Sequence, residues 1–176
     1  MEEQEVFKMP LIGDQAPDFE AVTTTGKVKF SDYAPGKWKI LFSHPADFTP
    51  VCTTEMSGFA QNQELFADLN TALIGLSIDS IHSHLAWVNN VREKTGVYFQ
   101  FPIIADLDMK VSKLYGMLQP SESETAAVRA VFFIDPENKV VIAKTSSNHR
   151  FTAEKEESKA AHVALFRAIA SAAANL

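Results

Sequence analysis

The chain has 176 residues, 46% of them hydrophobic and 22% charged, a composition that supports one full core and excludes disordered, collagen-like and disulfide-stapled classes. Sixteen basic residues against twenty-two acidic give a net charge of −6. That balance argues against nucleic acid or an anionic membrane surface as partner, since both need a concentrated basic face, and no apolar run approaches the ~20 residues of a membrane span.

In chain order, residues 1–12 read as an N-terminal arm, acidic at Glu2, Glu3 and Glu5 and without the apolar run of a secretory signal. It runs out to Gly13-Asp14-Gln15-Ala16-Pro17. Phe19–Thr23 and Lys27–Phe30 flank Thr24-Thr25-Gly26 and predict a hairpin. Trp38–Ser43 predicts a buried strand, set between Pro35-Gly36 and Pro45. From Pro50 to Leu69, Met56, Phe59, Ala60 and Phe66 recur at helical spacing.

Ala72–Ile78 predicts a second buried strand, and Asp79-Ser80 offers an N-cap to a helix through about Glu93. On that helix His84, Trp87 and Val91 form a stripe, a pattern that reads first as core. A short strand at Phe101–Ile104 precedes a small helix near Met109–Tyr115, stopped at Gly116. Ala130–Ile134 and Lys139–Ala143 alternate around Asp135-Pro136-Glu137-Asn138, a further hairpin. Ala153–Ala173, with Val163, Phe166 and Ile169, reads as a terminal amphipathic helix. Together these elements predict one α/β domain over residues 1–176, in three layers around a mixed sheet.

The single cysteine, Cys52, rules out an internal disulfide and fits a reducing, cytoplasmic setting. A lone cysteine is commonly a small buried hydrophobe. The setting of this one argues for more, because Ser43-His44-Pro45-Ala46-Asp47-Phe48-Thr49-Pro50-Val51-Cys52 carries a strand into a helix start. Backbone N–H groups there are free to bind an anion. Thr49 suits the N-cap and Pro50 the first helical position, which puts Cys52 at N3. Met56 and Phe59 follow on its face, so the sulfur is expected at the floor of a pocket. An unperturbed thiol, with a pKa of about 8.5, is roughly 3% ionised at pH 7. The helix terminus contributes about 0.3–2 kcal/mol, so a nearby arginine is needed to secure a thiolate.

The run His44-Pro45-Ala46-Asp47-Phe48-Thr49-Pro50-Val51-Cys52-Thr53-Thr54-Glu55 resembles the active-site motif of the peroxiredoxins, in particular their one-cysteine branch related to peroxiredoxin six. The resemblance extends through Ile74–Ser80, His84–Trp87, Phe101–Asp106 and Val128–Asp135, covering most of residues 10–143. It implies a thioredoxin-like fold, with a central mixed β-sheet flanked by helices, and reduction of hydrogen peroxide and organic hydroperoxides. Matched position by position, Cys52 is similar to the peroxidatic nucleophile and Thr49 to the hydroxyl that holds the substrate. Pro45 matches the residue that shields the site from water, and Arg129 the guanidinium that contacts thiolate and peroxide. Glu55 matches an acidic residue orienting that arginine, His44 the histidine preceding the proline, and Trp87 falls at the pocket wall.

The chemistry suits these residue types. Thiolate attack on an O–O bond builds charge on the departing oxygen, and the Thr49 hydroxyl, the Cys52 N–H and Arg129 are donors able to meet it. The product is a sulfenic acid. With no second cysteine in the chain, an external thiol reductant of unspecified identity is expected to resolve it; the other route, pairing with Cys52 of another subunit, needs closely spaced active sites. The resemblance also implies a homodimer or larger homo-oligomer. A non-enzymatic redox sensor or holdase on the same fold is the rival reading, and it does not need Thr49 and Arg129 together.

No metal and no cofactor are expected: His82 and His84 lie two apart on a helix and face different ways, and no Cys-x2-Cys spacing occurs. Gly75-Leu76-Ser77-Ile78-Asp79 lacks the closing glycine of a hydrolase elbow. Pro35-Gly36-Lys37-Trp38-Lys39 lacks the serine of the lipase segment carried by longer relatives. Residues 144–176 depart from the family pattern, leaving Arg150 as the candidate for the branch's second arginine.

Overall fold

The computed structural model of the chain describes residues 8–118 and 127–146. The predicted terminal helix and Arg150 lie outside them. Among the described residues, seven strands form one mixed sheet: β1 (Glu20–Thr23), β2 (Gly26–Lys29), β3 (Trp38–Ser43), β4 (Thr71–Ser77), β5 (Ile103–Ala105), β6 (Arg129–Ile134) and β7 (Val140–Ser146). Their spatial order is β2-β1-β5-β4-β3-β6-β7. The central strands β3, β4 and β5 run parallel, while β1, β2, β6 and β7 join antiparallel at the two sides. The helices are α1 (Pro50–Gln61), α2 (Gln63–Asp68), α3 (Ile81–Thr95) and α4 (Lys110–Leu114).

Side-chain alternation along the buried strands divides the interior into two cores. Ile40, Phe42, Leu73, Ile103 and Phe133 face α1–α3, meeting Met56, Ala60, Phe66, Trp87 and Val91. Leu41, Ile74, Leu76, Ile104, Phe132 and Ile134 face the opposite way, onto Phe30, Val111, Tyr115 and Met117. The parallel crossovers through α1–α2 and through α3 therefore cover one face. This is the expected sheet flanked by helices, and His84, Trp87 and Val91 of the α3 stripe are all buried.

The local signals hold at most element ends. Ser80 caps α3 by accepting from the Ser83 N–H at 3.2 Å, and Gly96 closes it at φ 73°. In the β6–β7 turn the Asp135 carboxylate accepts from the N–H groups of Glu137 (2.9 Å) and Lys139 (2.7 Å). The buried Lys39 amine bonds to the Asn138 side chain of the same turn. One expectation changes. The single helix from Pro50 to Leu69 is broken at Asn62, whose side-chain amide donates to the Gly58 carbonyl at 2.8 Å and competes with the helical ladder. Gln63 then anchors the second piece, donating to the Tyr98 carbonyl and accepting from the Gln100 N–H. The N-terminal arm is also tied down near its end, since Gly13 N–H donates to Val140 O and Val140 N–H to Asp14 O.

Candidate active site

The site forms where β3 ends and α1 begins, at the carboxyl end of the parallel strands, where open α/β sheets commonly bind ligands. The chain leaves β3 at Ser43, turns through Phe48 at φ 58°, and enters α1 at Pro50. Thr49 is the N-cap and its hydroxyl oxygen accepts from the Cys52 N–H at 3.3 Å. Cys52 is thus at N3, in the first turn, and is 1% exposed against Met56 and Phe42. The Thr49 hydroxyl itself donates to the Ala46 carbonyl at 3.2 Å. The two donors expected to serve a substrate therefore satisfy the loop here, and a ligand would exchange with these bonds.

Arg129 reaches this sulfur from β6. Ser43 joins the two strand ends, donating to Val128 O at 2.6 Å and accepting from Ala130 N–H at 3.0 Å, so Arg129 enters the site from the strand beside β3. Its Nη2 lies 3.5 Å from Cys52 Sγ, while its Nε lies 3.3 Å from Glu55. Glu55 sits one helical turn beyond the sulfur. Burial pushes its carboxyl up, and the charge of Arg129 offsets only part of that rise. Cys52, Thr49, Arg129 and Glu55 are therefore brought together. Pro45 is half-buried in the loop after β3.

Trp87 and His44 pack together beside the first turns of α1. Their rings lie 5.0 Å apart between centroids, and the indole N–H donates to the hydroxyl of Thr53, the residue after Cys52, at 3.2 Å. The residues that sequence reasoning missed are the polar partners of His44. Asp47 Oδ1 lies 2.9 Å from His44 Nε2, and its Oδ2 meets His84 Nδ1 and Ser83 Oγ at 2.8 Å each. Burial alone would raise the Asp47 carboxyl, but hydrogen bonds from His44 and His84, the charge of His84 and the Ser83 hydroxyl hold it well below the usual carboxylate range. Burial pushes His44 down, only partly opposed by Asp47. Asp47 was visible inside the motif and His84 on the α3 stripe, but no spacing links residues of different elements. Asp79 accepts from the Asp47 N–H at 3.0 Å and from Ser77 at 2.7 Å. His44, Asp47 and Asp79 place ligand-type atoms within 4.8 Å of one another; those of His44 and Asp47 bond each other, and Asp79 accepts the two donors just named.

The family model described as AhpC/TSA matches residues 12–143. The chain belongs to the AhpC/TSA family. It is 60% identical over 138 residues to a peroxiredoxin of Methanosarcina mazei, covering 75% of this chain and 63% of that protein. It is 58% identical over 131 residues to a peroxiredoxin of Aquifex aeolicus, covering 74% and 59% respectively. Among solved structures it resembles a yeast mitochondrial 1-Cys peroxiredoxin (40% identity, TM-score 0.75, covering 89% of this chain and 75% of that one). A peroxiredoxin 6 mutant of Arenicola marina is similar as well (37% identity, TM-score 0.72, 77% and 64%). These likenesses bear out the family resemblance and the thioredoxin-like fold. The chain spans 55–63% of the length of the curated relatives it matches.

Proposed function

We propose that the protein is a thiol peroxidase of the one-cysteine type, acting on hydrogen peroxide and organic hydroperoxides. The observation that carries this reading is the Cys52 sulfur at N3 of α1 with the Arg129 guanidinium 3.5 Å away and Glu55 holding that guanidinium. The thiolate form is the nucleophile, and both the helix terminus and Arg129 place positive charge against it. Sulfur attacks the terminal oxygen of ROOH, the S–O bond forms as the O–O bond breaks, and the alkoxide leaves as ROH after taking a proton. Sulfur is oxidised by two electrons to the sulfenic acid.

A first external thiol condenses with the sulfenic acid, releasing water and forming a mixed disulfide, and a second thiol restores Cys52. The chain's single cysteine supports that external route. So does the yeast relative, whose thiol is resolved via glutathione/thioredoxin systems. The cysteine count also supports a reducing, cytoplasmic compartment. Self-association into a homodimer or larger assembly is supported by the apolar surface of exposed Phe48 and Val51 beside the site; sedimentation of the full chain tests it.

The deciding experiment mixes reduced protein with limiting hydrogen peroxide. One dimedone-trapped sulfenate should form at Cys52, and Cys52→Ser should lose both trapping and peroxide consumption. Consumption that survives in Cys52→Ser rejects the assignment. Turnover with glutathione, thioredoxin and dithiothreitol side by side separates a peroxidase from a sensor or holdase, which oxidises once and stops.

A further inference from the structure

Behind the site, three buried polar side chains from two different elements form a network whose proton count can be worked out from its partners. His44 is 2% and His84 0% exposed, and Asp47 lies buried between them. Asp47, whose carboxyl is held below the usual carboxylate range, is ionised and so only accepts hydrogen bonds. It takes one at Oδ1 from His44 Nε2 and two at Oδ2, from Ser83 Oγ and His84 Nδ1. The other ring nitrogen of His84 lies 3.0 Å from the Ile104 carbonyl oxygen, which is also an acceptor only. Both nitrogens of His84 must therefore donate. His44 differs, because its Nδ1 is buried without a hydrogen-bond partner among the described residues.

We infer that His84 is a buried imidazolium that neutralises Asp47, and that Asp47 in turn fixes His44 as the neutral Nε2–H tautomer with a free lone pair on Nδ1. His84 and Asp47 are thus positioning residues acting through His44. A buried charge without a partner costs far more than a paired one, so the carboxylate needs one cation, and only one. If His84 did not supply it, His44 would, by taking a proton on Nδ1. The remaining carboxylate close by, Asp79, has its own donors in the Asp47 N–H and Ser77.

The outcome is a hydrogen-bond acceptor left unfilled on His44, whose ring packs against Trp87, and the Trp87 indole is bonded to the residue after Cys52. A buried acceptor with no donor is costly, and an O–H-bearing ligand relieves that cost. This last step rests on the thiol-peroxidase reading; the protonation pattern does not.

The test is nitrogen-15 spectroscopy of the histidine rings in the reduced full chain at neutral pH, with assignments from His44→Gln and His84→Asn. Both nitrogens of His84 should resonate as protonated. His44 should show one protonated Nε2 and one unprotonated Nδ1. In His84→Asn the unprotonated His44 signal should disappear as Nδ1 takes a proton, and the rate of Cys52 oxidation by hydrogen peroxide should fall by about five- to tenfold, the size of one hydrogen bond.

An unprotonated nitrogen on His84, or a proton on His44 Nδ1 in the unaltered protein, overturns the inference. The unaltered protein decides the matter even where His84→Asn does not fold. The expected ring pattern without peroxide turnover would reject the peroxidase reading and leave this one intact. Turnover with a neutral His84 would do the reverse.

Discussion

Replacing Arg129 by glutamine tests the geometry most directly. The guanidinium performs two tasks at once, holding Glu55 through Nε at 3.3 Å and facing Cys52 Sγ through Nη2 at 3.5 Å. Two unit charges at that separation interact by about 5 kcal/mol at an effective dielectric of about 20, which is a ceiling because the charge is spread over the whole guanidinium. Removing one preorganised donor facing developing charge typically costs about 10²–10³ in rate. Arg129→Gln should therefore slow the second-order reaction with hydrogen peroxide about 10²–10³-fold. Arg129→Lys should recover part of that loss, since an ammonium keeps the charge but cannot span both partners. Stopped-flow tryptophan fluorescence is the assay, because the Trp87 indole is bonded beside the reacting residue. Circular dichroism confirms that β6 still pairs. An Arg129→Gln protein that reacts within about threefold of the unaltered one, under conditions where about 10²-fold is expected, refutes the assigned contact.

Thr49→Ala removes the N-cap of α1 and should cost about 1 kcal/mol of stability in urea unfolding, with a larger fall in peroxide reactivity than Thr49→Ser shows. The folded state holds the Asp47 carboxyl below its usual range, so its contribution is present above the ordinary aspartate value of about 4 and is lost as pH falls below that. Asp47→Asn should flatten acid unfolding between about pH 4 and pH 2 while lowering stability at neutrality. Glu55 has the opposite sign: its raised carboxyl binds the proton more tightly when folded, so stability declines as pH rises from about 4.3, and Glu55→Gln should remove that slope. Gly116 has φ +61° and a Cβ there would lie 2.7 Å from the Met9 backbone nitrogen, so Gly116→Ala should lower thermal stability by about 1–3 kcal/mol.

What could be read along the chain was whatever depends on near neighbours. Trp38–Ser43 matches β3 residue for residue, because its bounds are set by the turn formers around it and its side chains alternate between two cores. Thr49, Pro50 and Cys52 take their N-cap, N1 and N3 places because capping is decided within four residues. The break at Asn62 escaped the periodicity, which counts apolar positions and cannot see an amide reaching back to the Gly58 carbonyl. Arg129 stood out as a candidate only through family resemblance, and His84 passed as core.

Tertiary structure alone decided how distant charges meet. The guanidinium and the sulfur lie 77 positions apart and touch because β6 is the antiparallel neighbour of β3. Asp47 and His84, 37 positions apart, meet because α3 crosses the face onto which the β3–α1 loop turns. Capping and alternation are short-ranged, so amino-acid order determines them outright. Strand order is set by how the whole core packs, and only that packing places a cation at Cys52 and another beneath His44.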